Sequence, residues 1–308
     1  MLDIDTFLTY LYVMIDDLCK QSMPAERRHG PPASLTGSEV ATLALFGQWR
    51  QFSSERDFYR YAERHLRGAF PGLPDRSQFN RLMRRHHATI VRCFVELARR
   101  LDTQPVYEAL DGTAVATRDA KRRGLGWLPG LADIGWSNRV GWYEGFKVLL
   151  SVTPHGAITG FGFGAASTSE LNLAETFFAL RAHPERRLAT VGDHPASGVY
   201  VTDKGFEGLH RRRHWCDDYA ATVVCATKRH SRHPWPRARR RWLAGLRQIV
   251  ETVNGCLHSA FRLDHERPHS LDGFQARLAA KVALHNACIW LNQQLGRAPL
   301  AFADLVAW

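Results

Sequence analysis

No two cysteines in this chain of 308 residues stand closer than nine positions apart. The six (Cys19, Cys93, Cys216, Cys225, Cys256, Cys288) include no CxxC pair. That argues against a structural zinc site and a disulfide framework, and makes a reducing cytoplasm the expected setting. No apolar run approaches the ~20 residues of a spanning helix, which excludes an integral membrane protein. The opening MLDIDTFLTYLY is acidic where a secretory signal is basic, and no small-residue cleavage site follows it. HExxH is missing. GFGFG at 160–164 lacks the spacing and the following helix of a phosphate loop, so it reads as strand glycine. Acid is scarce, 30 Asp and Glu against 41 Lys and Arg, for a formal net charge of +11. Apolar residues make up 45% of the chain, enough for a folded core and too many for a disordered one.

The charge is uneven. From Lys204 to Arg247 there are twelve Lys and Arg against three acids, with Trp215, Trp235 and Trp242 among them. Smaller clusters are Lys121, Arg122 and Arg123, and Arg76, Arg81, Arg84 and Arg85. A membrane-surface helix would need a bulky apolar face. The segment KRHSRHPWPRARRR at 228–241 contains two prolines instead and reads as a loop. A phosphate backbone is the better partner.

Residues 1–104 read as all helical, the pattern of a DNA-binding region. Phe7, Leu8, Leu11, Met14, Ile15 and Leu18 keep helical spacing, and Thr36-Gly37-Ser38-Glu39 is a capping box. The remainder, 105–308, reads as a mixed α/β domain closed by a C-terminal helix from Asp272 to Leu295. Its expected strands are Val106–Leu110, Trp142–Val152, Ala157–Gly164, Gly198–Thr202 and Ala220–Thr227. Helices are expected at Leu171–Leu180, around Leu209, and from about Arg240 to Ala260, with a loop over 113–140.

Two aspartates end expected strands, Asp111 after VYEAL and Asp203 after GVYVT. The carboxyl ends of strands are where open α/β sheets bind ligands. At ~100° per residue, Trp242, Leu246, Ile249, Val250, Val253, Cys256, Leu257 and Ala260 form the buried stripe of the long helix. Arg247, Glu251, Asn254 and His258 share the opposite face, either a solvated face with one ion pair or part of a site. Other acids read as structural: Asp193 and Asp217-Asp218 in turns, Glu144 in sheet pairing, Asp119 and Asp133 in the 113–140 loop.

The order of elements, with Asp111 on the first core strand, Asp203 after the fourth and Glu251 on the helix after the fifth, resembles the RNase H-like core of DDE transposases. Local motifs resemble those of insertion-sequence transposases. They run LTGSEVATLALFGQW, FSSERDFYRYAERHL, LPDRSQFNRLMRR, LDGT, WYEGFKVLLSVTPHGAITGFGF, VTDKGFEG, IVETVNGCLHSAF and KVALHNACIWLN, in family order over nearly the whole chain. Arg247 matches the Arg that precedes the glutamate in this superfamily. Two positions depart: Ala244 stands where a Tyr is frequent, and His258 where a Lys is frequent.

The resemblance implies an RNase H-like mixed sheet flanked by helices, preceded by an all-α DNA-binding region. It implies catalysis and metal binding by Asp111, Asp203 and Glu251, with two Mg²⁺ ions for which Mn²⁺ substitutes. Clustered carboxylates repel by several kcal/mol per pair, and a divalent cation offsets this. Water would cut the transposon end, and the freed 3′-OH would attack target DNA. The implied partner is double-stranded DNA, as terminal inverted repeats and target, gripped by a homodimer or larger assembly in a cytoplasmic, nucleoid-associated setting. Candidate DNA contacts are Lys147, Lys204, Arg247, His258, Arg237, Arg239, Arg240, Arg241, Arg81 and Arg84. Lys147, Lys204 and Arg247 meet the scissile phosphate or are simply solvated, and Trp235 stacks on a distorted end or packs its own loop. Two other readings stay open, a repurposed DNA-binding protein on this fold and a nuclease that cuts without joining.

Overall fold

The computed structural model describes residues 1–22, 33–101, 105–183, 198–228, 231 and 233–308. In chain order the elements are β1 (Leu2–Asp3), α1 (Ile4–Ser22), α2 (Gly37–Phe46), α3 (Glu55–Tyr61), α4 (Arg76–Arg85) and α5 (His87–Leu101). Then come β2 (Glu108–Asp119), β3 (Asp133–Ser137), β4 (Gly141–Val152), β5 (Ile158–Ala165), α6 (Glu170–Ala182), β6 (Val199–Thr202), α7 (Leu209–Tyr219) and β7 (Thr222–Cys225). The chain closes with α8 (Arg237–Ser259), α9 (Leu271–Gln294) and β8 (Val306–Ala307). No helix among the described residues is long and apolar enough to cross a membrane.

The chain divides into two units. The helical unit takes Met1–Leu97, Leu257–Leu263 and His269–Trp308. Its helices start where the sequence supplies caps. Thr36 accepts from the Glu39 amide while the Glu39 carboxylate accepts from the Thr36 amide, and Asp75 and Ser270 cap α4 and α9. Each cap is worth about 1 kcal/mol. Helix α9 packs on α2 and α4 and is buried along most of its length. Its Lys281, 1% exposed, donates to Gln48 Oε1 and the Phe261 carbonyl, which is what makes a cation tolerable there. The C-terminal helix assigned with the sheet from sequence therefore folds with the N-terminal helices.

The second unit, Ala98–Cys256 with Asp264–Pro268, is built on one mixed sheet. Strand β4 pairs antiparallel with β2 on one edge and with β3 and β5 in succession on the other. Strands β2, β6 and β7 run parallel. Helices α6 and α7 cover the sheet through Phe177, Phe178 and Trp215, packed on Leu110, Leu149, Tyr200 and Val223. Each large apolar side chain so buried contributes ~1.5–3 kcal/mol. Glu175 of α6 joins the two helices by accepting from His214, Trp215 and Tyr219 of α7. Beneath the sheet, Glu108 is fully buried against Arg181 and Ser151. This curled mixed sheet with flanking helices is the RNase H-like arrangement expected.

Several local expectations change. Strand β2 does not stop at Leu110. The twelve-residue β4 offers it partners as far as Asp119, so Asp111 lies inside a strand. The 113–140 segment contains the rest of β2 and all of β3. The basic 228–241 segment is helical from Arg237, because Pro236 leads into a first turn whose amides need no intrahelical acceptor. Trp242 is 59% exposed and Leu243 takes its place in the core. Asp217 and Asp218 sit in α7, and Glu144 pairs with Arg118 across the sheet. Asp193 lies outside the described residues.

Candidate active site

The parallel register of β2 and β6 pairs Glu108 with Tyr200 and Ala109 with Val201. The ladder ends there; continued by two residues, its register would bring Asp111 level with Asp203, which follows the last residue of β6. Neighbouring strands stand ~4.8 Å apart and side chains repeat with period two, so in that register both carboxylates would emerge on one face. Asp203 follows the last residue of β6 and caps the 3₁₀ turn Lys204–Phe206, its Oδ1 accepting from the Gly205 amide at 2.7 Å. The Asp111 side chain is 16% exposed. Burial pushes its carboxyl up to about 6, and the charges of Glu170 and Asp203 add to this against the pull of Arg247.

Helix α8 brings Arg247 and Glu251 to the same place. The Arg247 guanidinium lies 2.8 Å from Glu251 Oε1 and 3.5 Å from Asp111 Oδ2, bridging the two acids. At this point the i,i+4 face of α8 carries a contact to Asp111 as well as its own ion pair. Glu251 remains 48% exposed, and an ion pair of this kind stabilises by only ~0.2–0.5 kcal/mol, so other ligands can displace it. Further along, Val250, Val253 and Leu257 are fully buried, and Asn254 is also covered.

A further carboxylate, not singled out from sequence, is near enough to act on Asp111 through its charge. Glu170 opens α6 behind the cap Ser169. Its side chain folds back over β2 at Gly112, where an added Cβ would come within 2.8 Å of Glu170 Oε1. Glycine next to Asp111 is what admits it. Burial raises the Glu170 carboxyl above its ordinary value, with Lys147 opposing, Asp203 reinforcing and Arg247 opposing. Lys147 on β4 donates to the Thr168 carbonyl at 2.9 Å, just before α6. An acid in the first turn of a helix is common on dipole grounds, so spacing alone does not distinguish Glu170. The adjacent Asp111-Gly112 pair is the one sequence hint.

The acids of this centre offer only carboxylate oxygen, the donor that Mg²⁺ and Mn²⁺ favour. A cation would relieve the repulsion that, with burial, holds Asp111 and Glu170 up. Among the described residues no three His, Cys, Asp or Glu groups are already gathered around one point. Arg247 instead supplies the positive charge between Asp111 and Glu251. The donors fit a divalent cation in kind, with Asp111, Asp203 and Glu251 as holders.

Of the basic candidates, Lys204, Arg237, Arg239 and Arg241 are exposed, and Arg240 is half-buried. Arg239 lies over the Trp235 ring, 3.9 Å from its centroid, so that tryptophan packs its own segment. Arg81 and Arg84 are exposed on α4, in the helical unit. His258 is only 8% exposed and belongs to the helical unit, where it presents almost no surface.

Among known proteins, a family profile described as the transposase DDE domain matches residues 108–287. No curated protein and no solved structure matches the chain. The matched span runs from the strand bearing Asp111, through Asp203, to beyond the helix bearing Glu251. It covers more than half of the sequence, and with the mixed sheet and the motif order it shows that the chain belongs to the DDE transposases of insertion sequences.

Proposed function

We propose that this transposase cuts DNA at the ends of its element and joins them to target DNA by divalent-metal phosphoryl transfer at Asp111, Asp203 and Glu251. What supports the reading is the parallel pairing of β2 with β6, together with the charge of Asp203 acting on the Asp111 carboxyl. The bridge from Arg247 to Asp111 and Glu251 adds the third acid. Two Mg²⁺ ions, or Mn²⁺ in their place, would supply Lewis-acid activation of the attacking and leaving oxygens.

In the first step the oxygen of water forms a bond to the scissile phosphorus. The bond to the bridging 3′ oxygen breaks, leaving a 3′-OH and a 5′-phosphate. In the second, that 3′-OH attacks a target phosphorus and the target's own 3′ oxygen leaves. The protein's residues orient these groups. Asp111 and Asp203 hold the reacting phosphate's cations from adjacent strands. Arg247 exchanges its carboxylate partners for phosphate oxygens. Lys147 and Lys204 flank the same edge as further phosphate donors. Arg237, Arg239, Arg240 and Arg241 grip backbone beyond it, while Arg81 and Arg84 serve the helical DNA-binding region. The acting form is a homodimer or larger assembly on paired inverted repeats, in a cytoplasmic, nucleoid-associated setting.

The test is a strand-transfer assay with a DNA end carrying the repeats that flank the gene, with and without Mg²⁺. Wild type should cleave and join only with metal, and Asp111→Ala, Asp203→Ala and Glu251→Ala should each abolish both steps. Cleavage without joining identifies a nuclease. Binding with neither identifies a repurposed DNA-binding protein. An active Asp111→Ala protein refutes the assignment.

A further inference from the structure

We propose that Trp136 and Trp142 form a stacking platform for unpaired bases of the DNA, with Lys121, Arg122 and Arg123 holding the adjacent backbone. The proposal rests on the reading that DNA lies on the Asp111 face of the sheet. Antiparallel pairing of β3 with β4 sets Trp136 directly opposite Trp142, so both indoles leave the same face of one rung. They are 55% and 65% exposed. Trp215, by contrast, is fully buried and donates to Glu175, and Trp235 lies beneath the Arg239 guanidinium. The next rung, Gly135 opposite Tyr143, turns the other way and is packed. Tyr143 is 1% exposed, and a Cβ on Gly135 would come within 2.6 Å of the Ala166 carbonyl oxygen. Arg139, in the turn between the two strands, donates to the Ala114 carbonyl at 3.0 Å. A fixed frame therefore holds two large apolar rings out in water, an exposure that a partner would relieve.

Position and charge say which partner. Asp111 pairs with Leu150 of β4, and Trp142 stands eight residues earlier on that strand. Eight is an even number, so strand alternation puts Asp111 and both indoles on one face. Eight residues span roughly 27 Å of strand, about eight nucleotides at ~3.4 Å each, so DNA seated at Asp111 reaches the rung. Strand β2 ends at Asp119, which pairs with Tyr143, one position from Trp142. There the chain turns into Lys121, Arg122 and Arg123, all exposed, whereas Arg118 is held by Glu144. A second copy of the chain fits this surface less well. The two indoles offer roughly 300 Å² of apolar area, against the ~800 Å² per partner of a stable interface. An indole face matches the face of a base, which paired DNA keeps inside its stack, so the ligand is a nucleotide freed from pairing.

The test is fluorescence anisotropy of labelled DNA with the full chain in EDTA, which prevents cutting. One probe is a fully paired duplex, and the other is the same duplex carrying a mismatched bubble. Wild type should prefer the bubble. Stacking on an aromatic ring changes affinity by roughly 5–150-fold per base, so Trp136→Ala and Trp142→Ala should each weaken bubble binding at least about fivefold and duplex binding less than about twofold. Trp142→Phe keeps an aromatic face and should retain most of the preference. Replacing Lys121, Arg122 and Arg123 by Ala should weaken both probes and flatten the log–log salt slope by about two units on the unpaired strand, at ~0.7 per contact.

Equal losses on the two probes overturn the proposal, since they show a duplex contact or a general disturbance of the hairpin. Unchanged bubble binding in both Ala variants overturns it too. If sedimentation then shows that those variants have lost self-association, the rung is an interface between copies of this chain. A wild type that binds neither probe sinks the DNA reading, and the rung with it. A wild type that binds both probes alike while strand transfer proceeds sinks only the rung.

Discussion

Replacing Asp111 by Asn should stabilise the metal-free protein at neutral pH and do so progressively less as the solution is acidified. The Asp111 carboxyl is displaced from 3.8 to about 6, first by burial and then by its acidic neighbours. A folded-state value above the unfolded one means that folding favours the protonated form. The stability this provides is full below about pH 4 and is lost as pH rises through about 6. At pH 7.5 the wild type therefore carries the whole penalty, and the neutral Asn carries none. About two pKa units at ~1.36 kcal/mol each amount to roughly 3 kcal/mol. For a protein of this size that is a difference of roughly 6–12 °C in melting temperature. Thermal unfolding of both proteins in EDTA from pH 4 to pH 8 measures it, and the pH-dependent part is independent of any fixed cost of placing an amide beside Arg247. Adding Mg²⁺ at pH 7.5 should then raise the wild type, by ~2.7 kcal/mol at a hundred times its dissociation constant, and leave the variant nearly unmoved. Parallel curves for the two proteins across the pH range would refute the electrostatic account of the site.

Replacing Arg237, Arg239, Arg240 and Arg241 by Ala should flatten the log–log salt dependence of duplex binding by about 3–4 units, at ~0.9 per phosphate contact. Fluorescence anisotropy between low and moderate salt reads the slope, and an unchanged slope returns these residues to solvent. Glu108→Gln removes the charge that Arg181 meets beneath the sheet, where the two side chains are 0% and 3% exposed. Uncompensated charge of this kind costs ~3–5 kcal/mol, so chemical denaturation should show a loss of that order. A loss below about 1 kcal/mol would mean that water or a rearranged Tyr200 takes over the guanidinium.

Much of the candidate site is legible because it rests on local signals. Asp203 follows an apolar strand and precedes Lys204-Gly205, and Glu251 keeps helical spacing with Arg247. The course of β2 was not legible. Gly112 looks like a strand end, and only the long antiparallel partner β4 keeps the backbone extended past it. The anchor of the α8 core face was not legible either. Trp242 has the composition of a core residue, but Leu243 fills the core position, as 59% and 2% exposure show. His258 shares the helical phase of Glu251, yet it is only 8% exposed.

The sequence by itself determined the class of protein: the order of strands and helices, the acid positions, the surplus of positive charge and the family motifs are all properties of the chain read in one dimension. Caps and apolar periodicity are local in origin, so they survive without knowledge of what packs against them. The tertiary structure alone decided which charges meet. Asp111 feels the charge of Asp203 beyond the end of a neighbouring parallel strand, and Arg247 spans two acids from a helix that begins more than a hundred residues after β2. Electrostatic energy depends on distance through space, and on burial that only packing creates, so the chemistry of this centre could not be read from spacing along the chain.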